Sequence, residues 1–302
     1  MRSVVIVLYL LVLASFCARA AEHSDVASLF SSEASARSLA MGGASIGLVG
    51  GESLVFSNAA GLAWSNGVVF GSSVEMRSGT GMYGAICGSI AHFGAGVRYF
   101  DFGAVPETDD FGNVVGTFPY RNYAVVAGVG VKATDLPFVP RSAFAEQVAT
   151  GLSVKLFKVS TLEPGSGGGL ALDLPLLFRG DSAGLVTGYG MGLVFENLIG
   201  IPIRYGSGHE ESWPRNLTLG ASLEFLSQAI LAVDLTTENS LRFGVEWTPV
   251  PALSVRSGLR REGIWIWSLG IGARFGNFAL DCAVVTHPYL SSQLCSSLAA
   301  SW

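Results

Sequence analysis

The chain has 302 residues, a formal net charge of −5, 50% hydrophobic and 14% charged residues, and 39 glycines. A soluble domain carries about 25% charged residues, so a chain this apolar and this poor in charge suits lipid better than water. Its acidic balance excludes nucleic acid as a partner, because phosphate binding is built on an excess of Lys and Arg.

Residues 1–20 read as an export signal. Arg2 supplies a short positive start, residues 4–16 are apolar, and Ala18-Arg19-Ala20 is an A-x-A cleavage site, so the mature chain begins at Ala21. Cys17 raises a lipoprotein reading, but bulky Phe16 precedes it where a small residue is normal. Cleavage removes Arg2 and Arg19 and no acid, which takes the net charge from −5 to −7. Cys87, Cys282 and Cys295 then remain, an odd number with neither zinc nor disulfide-framework spacing, and read as small apolar residues. No cofactor is indicated.

Beyond the signal there is no apolar run of about 18 residues, so any membrane crossing falls to strands. Only helices and closed barrels satisfy their backbone groups in lipid. Residues 21–65 are too irregular for a lipid-facing strand. Residues 31–39 suggest a short helix, and Gly-rich apolar sequence without a clean period follows. Such a segment is expected inside a barrel, as a hatch whose backbone the lumen wall satisfies.

From about Val68 to Trp302 the pattern changes to period two. Tyr123, Val125, Ala127, Val129 and Val131 alternate with small residues, and Leu170, Leu172, Leu174, Leu176 and Phe178 with Ala171, Asp173 and Pro175. Pro175 sits awkwardly, because it cannot donate to a ladder. Tyr189, Met191, Leu193 and Phe195 repeat the pattern. Leu217, Leu219, Ala221, Leu223 and Phe225 oppose Thr218, Gly220, Ser222 and Glu224. Leu241, Phe243, Val245 and Trp247 follow, then Phe278, Leu280, Cys282 and Val284, and last a segment ending on Trp302. About fourteen such segments of about ten residues predict an all-β, transmembrane antiparallel β-barrel over residues 66–302, preceded by the hatch over 21–65 and the signal over 1–20. The opposing faces place Lys155, Asp173, Glu196, Glu224, Asp234, Arg242, Glu246, Arg256 and Asp281 in the lumen. A soluble sandwich also alternates, but the strand number, low charge and glycines on the polar face speak against it.

Several motifs are set aside. Gly43-Ala44-Ser45-Ile46-Gly47 matches the hydrolase G-x-S-x-G pattern without its strand–helix context, and no enzyme constellation is evident. Gly79 to Gly84 matches G-x-G-x-x-G but leads into a strand, so it reads as a hairpin turn. His23, His92, His209 and His287 are scattered, and the acidic run from Glu107 to Asp110 lacks calcium-loop spacing, so no metal site is expected. Trp265 and Trp267 share one strand face and suit an interfacial aromatic belt.

The most specific motifs lie in the hatch: Ala36-Arg37-Ser38-Leu39-Ala40-Met41-Gly42-Gly43-Ala44, then Asn58-Ala59-Ala60-Gly61-Leu62-Ala63. This pair resembles the start of PorV/PorQ-type outer-membrane proteins and, more distantly, of FadL-like fatty-acid transporters. Ala59 stands where those families have proline. The Glu107–Asn113 stretch, Asn197-Leu198, Trp213-Pro214 and residues 217–222 extend the likeness over nearly the whole mature chain. The resemblance implies a bacterial outer-membrane barrel of about fourteen strands with an inward-folded hatch. It implies passage or binding of a hydrophobic small molecule such as a long-chain fatty acid, or, in the PorV manner, a partner in protein secretion or surface attachment.

The candidate ligand or hatch residues are Arg37, Ser38, Met41, Gly42, Gly43, Asn58, Gly61 and Leu62. Arg37 suits a lumen or ligand carboxylate, Met41 is a flexible apolar side chain, Gly42 and Gly43 permit close backbone approach, and Asn58 fixes a turn.

Overall fold

The computed structural model describes residues 29, 30, 33–77, 81–162 and 165–302; the expected export signal, Cys17 and most of residues 21–32 lie outside the described residues. Among the described residues fifteen strands follow one another: β1 (Val68–Arg77), β2 (Gly81–Ile90), β3 (Phe93–Thr108), β4 (Val114–Lys132), β5 (Val148–Ser160), β6 (Gly167–Asp181), β7 (Val186–Tyr205), β8 (Glu210–Glu211), β9 (Asn216–Phe225), β10 (Ala229–Thr236), β11 (Leu241–Val250), β12 (Leu253–Glu262), β13 (Ile264–Phe275), β14 (Phe278–Thr286) and β15 (Gln293–Ser301). The two-residue β8 only extends β7. The other fourteen pair antiparallel with their chain neighbours, and β1 pairs with β15, so the sheet closes into an up-and-down ring without an edge. The seam is complete: Val68 and Trp302 exchange backbone hydrogen bonds at 2.9 Å each way.

The polarity is that of a membrane barrel. Ile86, Val97, Leu156, Leu219, Leu269 and Leu298 point outward and are exposed. Between them Arg98, Asn122, Lys155, Asp173, Glu246 and Asp281 point inward and are buried. A water-soluble fold has the reverse arrangement; here lipid solvates the apolar face and the lumen keeps the polar one. The lumen assignment made from alternation therefore holds, with Glu196, Glu224 and Arg242 only partly buried. Outward aromatics gather at both ends: Trp265 and Trp267 at one, and Phe93, Trp247, Phe278 and Trp302 at the other, which we term the lower end. Such girdles sit at the two headgroup layers.

Pro175 marks a local weakness in the wall. The β5–β6 ladder runs from Val148–Phe178 to Thr150–Leu176, omits Gly151 and Leu152, and resumes at Ser153–Asp173. The missing N–H of Pro175 explains the gap. Thr150 Oγ1 donates to the Pro175 carbonyl at 3.2 Å across it.

The upper end is uneven. β3 and β4 pair as far as Thr108–Val114, well beyond the start of β2, and Asp109 closes their tip. Its carboxylate accepts from the backbone of Phe111 at 2.9 Å and Asn113 at 2.8 Å, and from the Asn113 side chain at 3.0 Å. Those bonds, the Asn113 side chain first, hold its pKa below the usual carboxylate range. The acid is thus used within its own loop. Among the described residues no group of His, Cys, Asp and Glu has metal-site geometry.

Candidate functional site

The segment before β1 occupies the lumen. Ser35 caps a short helix, α1 (Ala36–Ala40), by accepting from the Ser38 backbone at 3.2 Å. The helix starts later than the 31–39 stretch suggested, because Ser35 is extended and serves as its cap; Met41 and the left-handed Gly42 end it. A 3₁₀ helix follows at Ala59–Trp64, capped by Asn58. Ala59 takes its first position, where the related motif carries proline; that position tolerates either residue, since its N–H has no partner within the helix.

The segment bonds to inward groups all around the ring. Ser73 on β1 donates to the Ala34 carbonyl at 2.9 Å, and Cys87 on β2 to the Glu52 carbonyl at 3.2 Å. The 3₁₀ helix packs on β3 to β6. Ser222 on β9 donates to the Gly47 carbonyl at 2.7 Å, Ser268 on β13 to the Ala40 carbonyl at 3.0 Å, and Ser297 on β15 accepts from Ala36 at 3.2 Å. Asp234 on β10 accepts from the backbones of Ser45 at 2.7 Å and Ile46 at 3.0 Å. A segment that touches opposite walls of a closed ring lies within it.

Glycines on the wall make this approach possible. A Cβ on Gly258 of β12 would stand 2.0 Å from the Gly42 nitrogen, and one on Gly192 of β7 would stand 2.0 Å from the Ile46 oxygen. Gly42 itself has φ +66° and faces the β12 backbone, so a side chain fails there on both counts.

The strongest polar contact is an ion-pair chain. Arg37 Nε and Nη2 donate to the two Glu246 oxygens at 2.8 and 3.0 Å, and Nη1 to the Gly50 carbonyl at 3.1 Å. Arg256 Nε donates to Glu246 at 2.5 Å and its Nη1 to Asp281 at 2.5 Å. All three faces of the Arg37 guanidinium are therefore engaged by the protein. Ser38 donates to Glu33, which also lies 3.5 Å from Arg242. Met41 is wholly buried beside Ala44, Leu48 and Ala232. Gly43 lies against Glu33 and Gly61 against Leu54, and Leu62 packs on Leu54 and Ala59. Asn58 accepts from Ala60 at 3.2 Å and donates to Ile46 at 2.9 Å and Leu176 at 3.1 Å. The eight candidate residues thus form two groups, one around α1 and one around the 3₁₀ helix, with each group bound to the wall.

Above this segment the lumen wall changes character. Tyr83, Phe100, Phe157, Ile203 and Trp213 form a buried apolar cluster, joined by Tyr120 and Tyr205. Leu29 and Phe30 are inserted into it. Phe30 lies 6.1 Å from the Trp213 ring, with the Lys155 ammonium 4.8 Å and the Arg98 guanidinium 5.6 Å from its centroid. Lys155 is itself held by Asp173 at 2.7 Å, and Asp173 accepts from the Asn197 backbone at 2.8 Å. This packed cluster, termed here the aromatic chamber and filled by Leu29 and Phe30, was not anticipated from the sequence, although Tyr83, Phe100 and Phe157 each stand at inward positions of their strands.

The decoy motifs resolve simply. Ser45 binds Asp234 through its backbone, after a helical turn rather than a strand, and Gly81 to Gly84 open β2. Cys87, Cys282 and Cys295 are free thiols.

No family model matches the sequence, and no curated protein matches it. The fold has solved counterparts. The chain superposes on the toluene transporter TodX of Pseudomonas putida with TM-score 0.57 and 15% identity, over 90% of this chain and 99% of the other. It superposes on the toluene transporter TbuX of Ralstonia pickettii with TM-score 0.59 and 14% identity, over 89% and 98%. A FadL homologue of Pseudomonas aeruginosa gives TM-score 0.52 and 10% identity, over 89% and 98%. At such identities the likeness is one of fold, and the fold shared is the closed fourteen-stranded antiparallel barrel of FadL-like outer-membrane proteins.

Proposed function

We propose that this protein resides in a bacterial outer membrane, takes small hydrophobic molecules into the upper lumen, and passes them when the inner segment moves as a hatch. The observation that carries the reading is the aromatic chamber. An apolar cluster on the lumen face serves no purpose in lipid contact, and its occupants, Leu29 and Phe30, belong to the segment before the barrel. Apolar walls with a few placed polar groups are the usual make-up of a small-molecule site.

The hatch role falls to Arg37, Ser38, Met41, Gly42, Gly43, Asn58, Gly61 and Leu62, which hold the segment rather than touch the chamber. Two cations face the ring of Phe30, and a cation over an aromatic face is an attractive pairing. A ligand ring in the place of Phe30 would meet the same two charges, which suits a monocyclic aromatic. Transporters of toluene share the fold, in keeping with this preference.

Uptake of radiolabelled toluene and of a long-chain fatty acid by cells with and without the gene tests the reading. Faster toluene entry in the expressing cells supports it. Faster fatty-acid entry alone would move the ligand class to long chains. Equal entry of both, with a secretion component retained on the purified barrel, would replace transport by the secretion-partner role.

A further inference from the structure

The chamber contains one group that its apolar lining does not explain. Asn122 on β4 points into it, opposite Phe100 on β3 and Val159 on β5. It is 0% exposed, and among the described residues neither its side-chain oxygen nor its nitrogen has a hydrogen-bond partner. A buried amide with both ends unmade is costly. A leucine of similar size would fit an aromatic cluster without that cost, so packing alone gives no reason for an asparagine.

Its position is specific. Arg98, which lies over the Phe30 ring, is two residues below Phe100 on β3, and Phe100 pairs with Asn122. Two residues of strand span about 7 Å, comparable to the length of a para-substituted benzene ring. A ring stacked where Phe30 now lies would bring its distal substituent to the level of the amide.

We propose that Asn122 recognises a hydroxyl group on the ligand, so that the chamber selects phenols over hydrocarbons of the same shape. This rests on the hydrophobic-ligand reading above and adds the polar group that reading leaves open. The amide serves either way, because its oxygen accepts from a phenol O–H and its nitrogen donates to a phenol oxygen.

The test uses p-cresol and p-xylene, which differ by O–H against CH₃ at one end of the same ring. Binding to the full protein in nanodiscs is measured by calorimetry, with protein-free nanodiscs subtracting partition into lipid. The expected result is that p-cresol binds about tenfold more tightly, the worth of one buried hydrogen bond, and that Asn122→Leu removes this preference while p-xylene binding is retained. The variant should also melt no lower than the native protein, because it loses an unsatisfied amide and no contact.

Equal affinity of the native protein for the two ligands overturns the proposal without recourse to any variant. A preference that persists in Asn122→Leu overturns it as well. In both cases p-xylene binding leaves the hydrophobic-ligand reading standing. A native protein that binds neither compound removes that reading, and the selectivity with it. A lower melting temperature with both ligands lost would make Asn122 a structural residue instead.

Discussion

Replacing Arg37 by alanine should loosen the inner segment without harming the wall. The substitution deletes two charge-assisted hydrogen bonds to Glu246, at 2.8 and 3.0 Å, and a third to the Gly50 carbonyl at 3.1 Å. Breaking a buried ion pair costs about 3–5 kcal/mol when one charge is left alone. Glu246 is not left alone, since Arg256 stays 2.5 Å away. That range therefore does not apply; the hydrogen bonds lost to a charged group are worth about 3 kcal/mol, which corresponds to roughly a hundredfold rise in the displaced population. Planar-bilayer recording should show openings about a hundred times more frequent, and limited proteolysis should cut the segment before β1 at a matching rate. Arg37→Lys, which keeps the charge but not the fork, should fall between the two. Unchanged opening frequency and unchanged cleavage in a fully folded Arg37→Ala barrel would refute the idea that this pair holds the segment.

Three further outcomes follow from the same contacts. Gly258→Val should displace α1, because its Cβ would stand 2.0 Å from the Gly42 nitrogen; raised conductance with an intact barrel by heat-modified gel mobility checks this. Asn58→Ala removes the cap on Ala60 and the donor to the Ile46 and Leu176 carbonyls, at a cost of about 1–2 kcal/mol; faster hydrogen exchange at Ala60 and Gly61, with normal exchange in β11 to β13, is the expected sign. The Asp109 carboxyl should titrate below the ordinary value of about 3.9, since its bonds from Asn113 favour the charged form. Its contribution to loop order is complete above that ordinary value and is lost as pH falls through the lowered one; carboxyl NMR of the β3–β4 tip measures it, and a value at or above the ordinary one would refute the assignment.

The barrel was legible because each strand repeats a two-residue period with one solvent on each side, and lipid leaves no ambiguity about the apolar one. That is why Leu219, Leu223 and Leu280 could be set outward, and Asp173, Asp234 and Glu246 inward, from the sequence alone. The inner segment was legible as an irregular stretch and as a motif, but its docking was not. Whether Arg37 meets Glu246 depends on how β11 lies relative to α1, which no local pattern encodes. The chamber was harder still. Tyr83 and Phe100 face each other on neighbouring strands, but Phe157 and Trp213 come from distant parts of the chain, and an inward aromatic looks like an error in alternation until the ring is closed. Asn122, beside Tyr123 in a run otherwise assigned to lipid, carried the one local hint: the strand face it shares with Ala124 and Val126 is the lumen face.

The seam between β1 and β15 has a bearing on assembly. The first and last strands of the ring must meet, so the slowest contact to form is also the one that completes the wall. The inner segment precedes β1 and touches strands on every side, from Ser73 on β1 to Ser297 on β15. It cannot be threaded into a finished cylinder as easily as a sheet can curl around it. The segment thereby acts as a mandrel, and the wall glycines that let it lie close set how tightly the sheet winds around it.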